Sequence, residues 1–552
     1  MPVITLSVDR FNNFIGKDLK VSDLVEKLPW LGLDIEDVGD DYIKVEYTPN
    51  RPDMGAPVGI ARAFEGLYLD KIGMKKYEVK SSELTVYVDS SVANIRPYLV
   101  SCVVKDIKMD EDTLIEIINL QEDLHQGLGR ERRKVSIGIH NFDVIHFPVR
   151  YTTVSNEFRF IPLDMNYEMS IKSILDEHPV GQKYKHLVKG FKRYPILIDA
   201  EGNVLSFPPV INSEYTRVYE NTRNLFLDVT ATDFNRAIDV LNILATTLAD
   251  YGGKIHSVKV VYEAEGREIT TPDLTPNIIE LELNKFIDLV TKYLGIQLSV
   301  NDIIKSLLKC RFNVEVIKDK KIIVKVPKYR VDILHPIDLV EEIAIGYGYW
   351  NITPKLPERY SVGEKHRKSR IISKVVDLMV SLGFTEVMNY ILTNPIEQTE
   401  KMLISGKQLI MVEESKSTEY SALRIWIIPQ LLRNLYISKD EPYPHKIFEV
   451  GEVFDRGIEE SLHVAAAISH SKVGYSEIKS VLDAFTKRLR VHVNITPITH
   501  PSFIEGRVGE IFFSNYKVGI IGEIHPQVLY NFNLEMPVAV FEMDITNLVN
   551  SN

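Results

Sequence analysis

Alternating apolar and polar positions near the start of the chain predict a small α/β unit. Two runs with period-two alternation are typical of half-buried strands, and a later run has the spacing of a buried helix. In chain order these runs are ITLSV, IKVEYT and GIARAFEGLYL. The segment TPNRPDM lies between the second strand and the helix, and its two prolines lack backbone donors and favour extended geometry before them. We therefore predict an α/β unit over residues 1–82, with TPNRPDM as a stiff connecting loop.

From residue 83 to residue 262, short apolar runs alternate with helices of ordinary length and predict a mixed α+β domain. The strand-like runs are LTVYV, KVSIGIH, YPILID and HSVKVVY. Basic residues of this domain cluster in HQGLGRERRK and in KYKHLVKGFKRY, where aromatic residues are interleaved. Rings that stack on bases and cations that meet phosphates suit single-stranded RNA. A lysine-rich helix is equally typical of a solvated face, so both interpretations stay open.

Two proline-containing linkers divide the rest of the chain into two further domains. The first linker, around Pro272 and Pro276, precedes IIELELNKFIDLVTKYLG and indicates a small helix-rich domain over residues 268–350. The second linker, NITPKLPERYSVGEK, precedes the helical pattern KSRIISKVVDLMVSLGF. Later runs predict an antiparallel sheet with helices over residues 358–552, namely FEVGEVF, RVGEIFF and KVGIIGEI. The predicted fold class is therefore multidomain α+β.

Length, charge and cysteine content agree with a soluble multidomain protein. A chain of 552 residues is expected to hold about three or four domains. Its formal net charge of −11 argues against coating of nucleic acid through bulk charge, so any RNA contact is expected to be local. Cys102 and Cys310 form no CxxC pair and fit a reducing cytosol. Early charges exclude a signal peptide, and no apolar run approaches the ~18 residues of a membrane span, so we expect a cytoplasmic protein.

Four carboxylates lie within eleven positions of the segment VPKYRVDILHPIDLVEEIAIGYGY. The pattern predicts a strand that ends near Asp332 and a helix with a proline in its first turn. Asp338, Glu341 and Glu342 are spaced to share one face of that helix. The helix dipole stabilises a first-turn acid by ~0.3–1 kcal/mol, which explains Asp338 but not the two glutamates. A hard cation with oxygen ligands would offset their repulsion, and magnesium is the natural candidate.

This acidic segment, together with ITLSVDRFNNFIG and YTPNRPDMGAPVGIARAFEG, resembles the β subunits of phenylalanine–tRNA ligases in their archaeal and eukaryotic cytosolic form. The resemblance runs from end to end. It implies a magnesium ion shared with a partner α subunit, bound here by Asp332, Asp338, Glu341 and Glu342. It also implies an α2β2 heterotetramer that binds tRNA(Phe), with ATP and phenylalanine bound mainly by the α subunit.

The same resemblance implies that residues 83–262 form the family's editing domain, which hydrolyses tyrosine wrongly attached to the phenylalanine tRNA. An apolar pocket rejects a substrate with one extra hydroxyl only by ~10², so a second, polar site must add the rest. The residues that match the family's editing pocket are Leu197, Ser206, Asn212, Asp228 and Thr230. Each also has a structural interpretation, such as a helix cap for Asn212 or a turn contact for Asp228.

The sequence of this domain indicates less about which groups would catalyse the hydrolysis. His125 is a further candidate, although a lone histidine is usually structural. No spacing of serine, histidine and aspartate suggests a covalent nucleophile. We therefore expect hydrolysis by a positioned water, with assistance from the terminal hydroxyl of the tRNA.

The last domain resembles the catalytic fold of class II synthetases but lacks one of its essential residues. An active site of this class needs an arginine late in its last motif, because the phosphates of ATP require fixed bidentate donors. No arginine follows Arg507, and KVGIIGEIHPQVL runs into His525 and Pro526 at the expected position. This domain is therefore expected to be non-catalytic and to pack against the α subunit.

Two other functions remain compatible with the sequence. One is an independent magnesium-dependent hydrolase with the four acids as its catalytic site, and the other is a tRNA-binding scaffold without editing activity. Catalytic magnesium sites usually leave open positions for phosphates among basic residues, whereas the apolar IAIGYGYW that follows these acids suits an interface. The polar segment PPVINSEYT argues against a scaffold without editing.

Overall fold

A computed structural model describes residues 2–318, 320–356, 361–454 and 459–546. The chain divides into two compact units between residues 356 and 357. Three of the four predicted domains lie in the first unit, and the predicted domain 358–552 lies in the second. Part of the linker NITPKLPERYSVGEK and the last six residues of that domain lie outside the described residues. Within these ranges, no helix is both long and apolar enough to cross a membrane.

The N-terminal part of the first unit is a three-stranded antiparallel sheet with helices, as its pattern predicts. The strands, in spatial order, are Val3–Ser7, Tyr42–Tyr47 and Leu33–Val38. The helices are Val8–Ile15, Val21–Lys27 and Pro57–Tyr68. Alternation in YIKVEY buries Ile43, Val45 and Tyr47 in the core. The last helix begins with a proline, where a missing backbone donor costs no helical hydrogen bond, and is buried along most of its length.

A large curved sheet forms the middle of the first unit. Its main strands, in spatial order, are Ile211–Asn212, Val204–Phe207, Tyr194–Ile198, Val149–Val154, Thr85–Val88, Lys254–Tyr262, Tyr98–Lys105, Leu225–Ala231 and Val135–Asn141. Short strands at Val79–Lys80 and Arg267–Thr271 pair with Lys254–Tyr262, and Arg159–Phe160 pairs with Met169–Ser170. The helices are Glu111–Gln126, Ile171–Glu177, Pro179–Tyr184 and Phe234–Asp250.

The four strand-like runs that the sequence indicates in this region are all confirmed as strands. The sheet continues past residue 262, where the sequence analysis ended the domain, because Arg267–Thr271 pairs with the preceding strand. The first and last strands in the spatial order also approach each other. The Asn212 side-chain amide of the first lies 3.5 Å from the Ile139 carbonyl oxygen of the last. This closure brings residues that are distant along the chain around one cavity.

The third predicted domain packs on the N-terminal part within the same compact unit. Its strands are Asn277–Glu282, Lys321–Val326 and Asn313–Ile317, and its helices are Leu283–Leu294, Val300–Lys309 and Pro336–Tyr347. The guanidinium of Arg311 donates to the Arg62 carbonyl oxygen and to Glu65, both at 2.9 Å. A Cβ on Gly66 would lie only 2.3 Å from the Lys309 carbonyl oxygen, so the two backbones meet at a glycine.

The second unit is built on a seven-stranded sheet with an apolar core on each face. Its strands, in spatial order, are Thr385–Glu386, His445–Val453, Ser461–Ser469, Val538–Asp544, Tyr516–Ile524, Phe503–Phe513 and Asn494–Pro497. Its helices are Arg367–Ser381, Pro395–Gln398, Ile428–Ile437, Tyr475–Leu489 and Pro526–Asn531. A separate pair of short strands joins Leu392–Thr393 to Ala422–Leu423. Apart from the parallel first pair, neighbouring strands of the large sheet are antiparallel, which confirms the sheet that the sequence predicts.

Candidate functional site

A cavity of about 250 Å³ lies where the two ends of the curved sheet approach each other, and we call it the sheet cavity. Its walls come from the helix Glu111–Gln126, the strand Val135–Asn141 and the segment 206–212. Three residues of the predicted editing pocket line it, namely Ser206, Asn212 and Asp228. They belong to three different strands, and Asp228 lies on a strand whose residues are all buried.

The other two predicted pocket residues are not among those that line the sheet cavity. Leu197 is fully buried in an apolar cluster and pairs with Ser206 on the neighbouring strand. The Thr230 hydroxyl accepts a hydrogen bond from the buried Arg96 at 3.0 Å, two residues along the strand from Asp228. Burial lowers the pKa of Arg96 to about 10. Both residues therefore lie beside lining residues, Leu197 opposite Ser206 and Thr230 next to Asp228 on the same face of its strand.

The carboxylate of Asp228 is held by a histidine that the sequence analysis did not single out. His140 Nε2 lies 2.7 Å from Asp228 Oδ2, and His140 Nδ1 lies 2.7 Å from the Thr216 hydroxyl. His140 is completely buried. A signal for it exists in the strand VSIGIHN, where Ser136, Gly138 and His140 place small or polar groups on one face of an otherwise apolar strand.

Several buried polar atoms of the residues that line the sheet cavity lack a hydrogen-bond partner among the described residues. They are Ser206 Oγ, His178 Nε2 and Arg132 Nε. His178 Nδ1 accepts from the Val180 backbone N–H, so its proton lies on the unpaired Nε2. A buried polar group without a partner costs about 1–3 kcal/mol, which a ligand that bonds to it would recover.

One of the two basic segments of the middle domain contributes directly to the wall of the cavity. Arg132 donates to Glu122 at 2.8 Å and to the Val210 carbonyl oxygen at 3.0 Å. The backbone of residues 130–132 is left-handed throughout, with φ of 47°, 54° and 65°. Such conformations are costly for residues other than glycine and concentrate at functional sites. The hydrogen bond with His125, together with Arg132, lowers the pKa of Glu122 to about 2.

His125 itself is buried and stabilises the wall, in line with the structural interpretation. Its Nε2 accepts from the Ile137 backbone N–H at 2.9 Å, and its Nδ1 lies 3.0 Å from Glu122. It is not among the residues that line the sheet cavity.

The burial of His125 leads to a prediction for stability at mildly acidic pH. Burial lowers the pKa of His125 from 6.5 to about 4 in the folded protein, so the unfolded chain binds one more proton between these values. The free energy of unfolding should therefore fall by roughly 3 kcal/mol as the pH drops through this range, at ~1.4 kcal/mol per unit. Urea unfolding at several pH values checks this for the wild type and for His125→Gln. The same slope in both proteins would contradict the prediction.

The four acids of the third domain do not converge on one point. Arg330, which is 3% exposed, donates to both oxygens of Asp332 at 2.9 and 2.7 Å and to both oxygens of Glu342 at 3.1 and 2.5 Å. Burial lowers the pKa of Arg330, but Glu342 and Asp332 outweigh it and raise that pKa well above its ordinary value. The guanidinium of Arg330 thus supplies the positive charge beside Glu342.

The other two acids have different surroundings. Asp338 accepts hydrogen bonds from the backbone N–H groups of Leu334 and His335 and caps its own helix, as the dipole argument predicts. Glu341 is exposed. Across the described ranges, no group of three or more His, Cys, Asp or Glu side chains is placed to hold a metal ion. The magnesium ion and its four ligands stay a prediction.

The loop TPNRPDM is more than a connector, because it joins the same network. Arg51 donates to Asp53 at 2.9 and 3.0 Å, and its guanidinium lies 4.0 Å from Glu342. Burial raises the pKa of Asp53, but Arg51 and neighbouring arginines outweigh it and lower that pKa to about 2. Two segments that are almost 300 residues apart therefore form one buried charge network.

Family comparisons agree with this arrangement of domains. Residues 286–349 match the family described as tRNA synthetase B5 domain, and residues 352–545 match the family described as phenylalanyl tRNA synthetase beta chain CLM domain. These matches define the chain as a subunit of the aminoacyl-tRNA synthetase class.

Whole-chain relatives define the family more closely. The phenylalanine–tRNA ligase beta subunit of Archaeoglobus fulgidus is 41% identical over 551 residues, which cover 99% of this chain and 98% of the relative. That of Methanosarcina barkeri is 40% identical and covers 100% and 99%. A crystal structure of an N-terminal fragment of the phenylalanyl-tRNA synthetase beta subunit from Pyrococcus horikoshii has a TM-score of 0.60 and 39% identity, covering 63% of this chain and all of the fragment. The chain belongs to the phenylalanine–tRNA ligase β-subunit family.

Proposed function

We propose that this chain is the β subunit of a phenylalanine–tRNA ligase, which charges tRNA(Phe) together with an α subunit, and that its sheet cavity hydrolyses tyrosine wrongly attached to that tRNA. The observation that carries the editing proposal is the convergence of Ser206, Asn212 and Asp228 on one cavity. Ser206 and Asn212 pair on neighbouring strands, and closure of the sheet brings Asp228, on a third strand, to the same cavity.

The polarity of the sheet cavity suits selection of tyrosine over phenylalanine. A site built to hydrogen-bond a hydroxyl rejects the analogue without it by about 10⁴–10⁵, because its buried polar groups are then left unpaired. The cavity offers the carboxylate of Asp228 as an acceptor and the unpaired Ser206 hydroxyl as a donor. A phenol can bond to both groups, whereas a phenyl ring can bond to neither.

Hydrolysis by water, rather than by a covalent nucleophile, fits the contacts of the site. Serine, histidine and aspartate all occur here, but His140 bonds to Asp228 and Thr216, and the Ser206 hydroxyl has no partner among the described residues. A serine nucleophile requires a base within hydrogen-bond reach.

An adjoining cavity of about 300 Å³ shares Gln121, Asp164 and Asn212 with the sheet cavity and gives room for the nucleoside end of the ester.

The experiment that tests this function is a deacylation assay. Tyr-tRNA(Phe) and Phe-tRNA(Phe) are incubated with the purified chain, alone and in complex with its α subunit. Release of tyrosine at a much higher rate than release of phenylalanine supports the proposal. Folded protein that releases neither amino acid in either form would contradict it.

We assign the second unit to assembly with the α subunit rather than to catalysis. Its sequence lacks an arginine after Arg507, and its most buried charge is neutralised within the unit. Arg424, which is 1% exposed, contacts Glu449 at 2.5 Å, Gln430 at 2.7 Å and the Glu452 carbonyl oxygen at 2.8 Å. An arginine held in this way is not available to bind the phosphates of ATP. The ATP and phenylalanine sites are therefore assigned to the α subunit of an α2β2 assembly.

The magnesium ion enters this proposal as an ion that binds only when the α subunit is present. Asp338 and Glu341 are the two acids that Arg330 does not hold, and two carboxylates leave most of the six positions around magnesium to other ligands. Isothermal titration with magnesium chloride should detect no site in this chain alone and one in the complex. Asp338→Asn combined with Glu341→Gln should remove that site. Tight binding by the chain alone would contradict this arrangement.

The free cysteines, Cys102 and Cys310, support a cytoplasmic location for the assembly. The alternative function, an independent magnesium-dependent hydrolase, gains no support, because Arg330 neutralises two of the four acids that it would use. The polar cavity favours editing over a pure tRNA scaffold.

A further inference from the structure

We propose that His140 is a positioning residue for editing: together with Thr216 it holds the Asp228 carboxylate in one orientation, so that the oxygen opposite His140 is left to bind the substrate. This inference rests on the proposed editing function. It concerns a histidine on the strand Val135–Asn141, 88 residues before Asp228, and a threonine 12 residues before Asp228.

The geometry of the strand pair produces this contact. Gly138 pairs directly with Asp228 across the antiparallel strands, and His140 lies two positions further along the same face. The imidazole reaches back diagonally over Gly138 to the carboxylate. A Cβ on Gly138 would lie 2.0 Å from Asp228 Oδ2 and 2.5 Å from His140 Nε2, so only glycine leaves room for the pair. The ring of Phe226 packs beside the imidazole, with a centroid distance of 6.0 Å.

The contacts determine where the proton of His140 lies. If the imidazole is neutral, the Thr216 hydroxyl donates to Nδ1 and Nε2–H donates to Asp228. If it is protonated, Nδ1–H donates to Thr216, whose hydroxyl then turns to the Leu205 carbonyl oxygen at 3.4 Å. The remaining tautomer would place a nitrogen lone pair 2.7 Å from a carboxylate oxygen and is excluded by repulsion. In both allowed states Nε2 donates to Asp228.

This arrangement holds the carboxylate in one orientation. Among the described residues, the bond from His140 is the only hydrogen bond to the Asp228 carboxylate, and it uses Oδ2. The residue lines the sheet cavity while its side chain is only 2% exposed. The second oxygen is therefore free to accept a hydrogen bond from a donor on the aminoacyl ester. Loss of the histidine would leave the carboxylate without its fixed partner.

The test compares two replacements of His140 in the full chain in complex with its α subunit. His140→Gln keeps a side-chain N–H near the position of Nε2, whereas His140→Phe keeps a ring of similar size without a donor. We expect kcat/KM for hydrolysis of Tyr-tRNA(Phe) to fall about 10- to 100-fold in His140→Phe, the range for loss of a hydrogen bond to a charged group, and to return to within about fivefold of wild type in His140→Gln. Thr216→Val should lower kcat/KM, and Thr216→Ser should restore it.

Further measurements separate this role from a purely structural one. Melting temperatures identify variants that fail to fold, and crystal structures of the folded variants show whether the Asp228 carboxylate keeps its orientation. Unchanged kcat/KM in folded His140→Phe, or an equal loss in the phenylalanine and glutamine variants, would overturn the inference. An inactive wild-type complex would overturn the proposed function instead. In that case, an unmoved Asp228 in the His140→Phe crystal structure would overturn the inference as well.

Discussion

Asp228→Asn should reduce hydrolysis of Tyr-tRNA(Phe) by at least about 100-fold and leave the charging of tRNA(Phe) with phenylalanine unchanged. Asparagine has nearly the shape of aspartate, so the cavity keeps its form. Its amide oxygen would accept the hydrogen bond from His140, which turns the NH₂ group toward the substrate. The site then presents a neutral donor where it had a charged acceptor. Losses of 10²–10³ are typical, to order of magnitude, when one such group is removed from an active site.

The measurement is single-turnover deacylation with the assembled enzyme, followed at saturating protein. Asp176→Asn is the matched control, because Asp176 is an exposed carboxylate of the same domain that does not line the sheet cavity. It should change the rate by less than about twofold. Full activity in Asp228→Asn would show that editing takes place elsewhere, since no other predicted pocket residue carries a charge.

Arg330→Met should lower the free energy of unfolding of the first unit by about 3–5 kcal/mol. The substitution keeps most of the aliphatic stem and removes the guanidinium that Asp332 and Glu342 share. The buried Glu342, which is 6% exposed, and the half-buried Asp332 then lose their shared cation, and Glu342 keeps only the Arg51 guanidinium at 4.0 Å. Breaking a buried ion pair by removing one partner costs about this much, because the remaining charge is uncompensated.

Urea unfolding followed by tryptophan fluorescence measures the effect. Trp30 and Trp350 belong to the first unit and contact each other with ring centroids 5.1 Å apart, so a Trp426→Phe background confines the signal to that unit. Adding Asp332→Asn and Glu342→Gln to Arg330→Met should recover most of the loss, because no buried charge is then left alone. Arg236→Met, which removes an exposed partner of Asp239 in the same unit, should change stability by less than about 1 kcal/mol. An unaltered midpoint in Arg330→Met would contradict the prediction.

The sequence was most informative about secondary structure. The runs IKVEYT, KVSIGIH and KVGIIGEI each form strands, and KSRIISKVVDLMVSLGF holds all but the first residue of the helix Arg367–Ser381. These predictions succeed because apolar periodicity is a local property that decides which face of an element can be buried. The same reasoning explains why Asp338 caps its helix, since a first-turn acid needs only the backbone beside it.

Which residues form the sheet cavity and the charge network around Arg330 depends on contacts between segments that are distant along the chain. Ser206, Asn212 and Asp228 line one cavity, whereas Leu197 and Thr230 lie beside them and do not line it. Period-two alternation gives the side of a strand to which a residue belongs, but it does not tell which strands will be neighbours or that the sheet will close. His140 was missed for the same reason, because its partners Asp228 and Thr216 lie on other elements.

The sequence by itself therefore determined many of the helices and strands and the family, each of which rests on local pattern or on resemblance along the whole chain. Only the tertiary structure decided which charges meet. Arg330 is two positions from Asp332 along the chain, yet its bond to Glu342 and the approach of Arg51 depend on how the helix Pro336–Tyr347 packs against the N-terminal part. Likewise, His140 reaches Asp228 through strand register and the absence of a side chain at Gly138. Such contacts follow from packing of the whole unit, which no local pattern specifies.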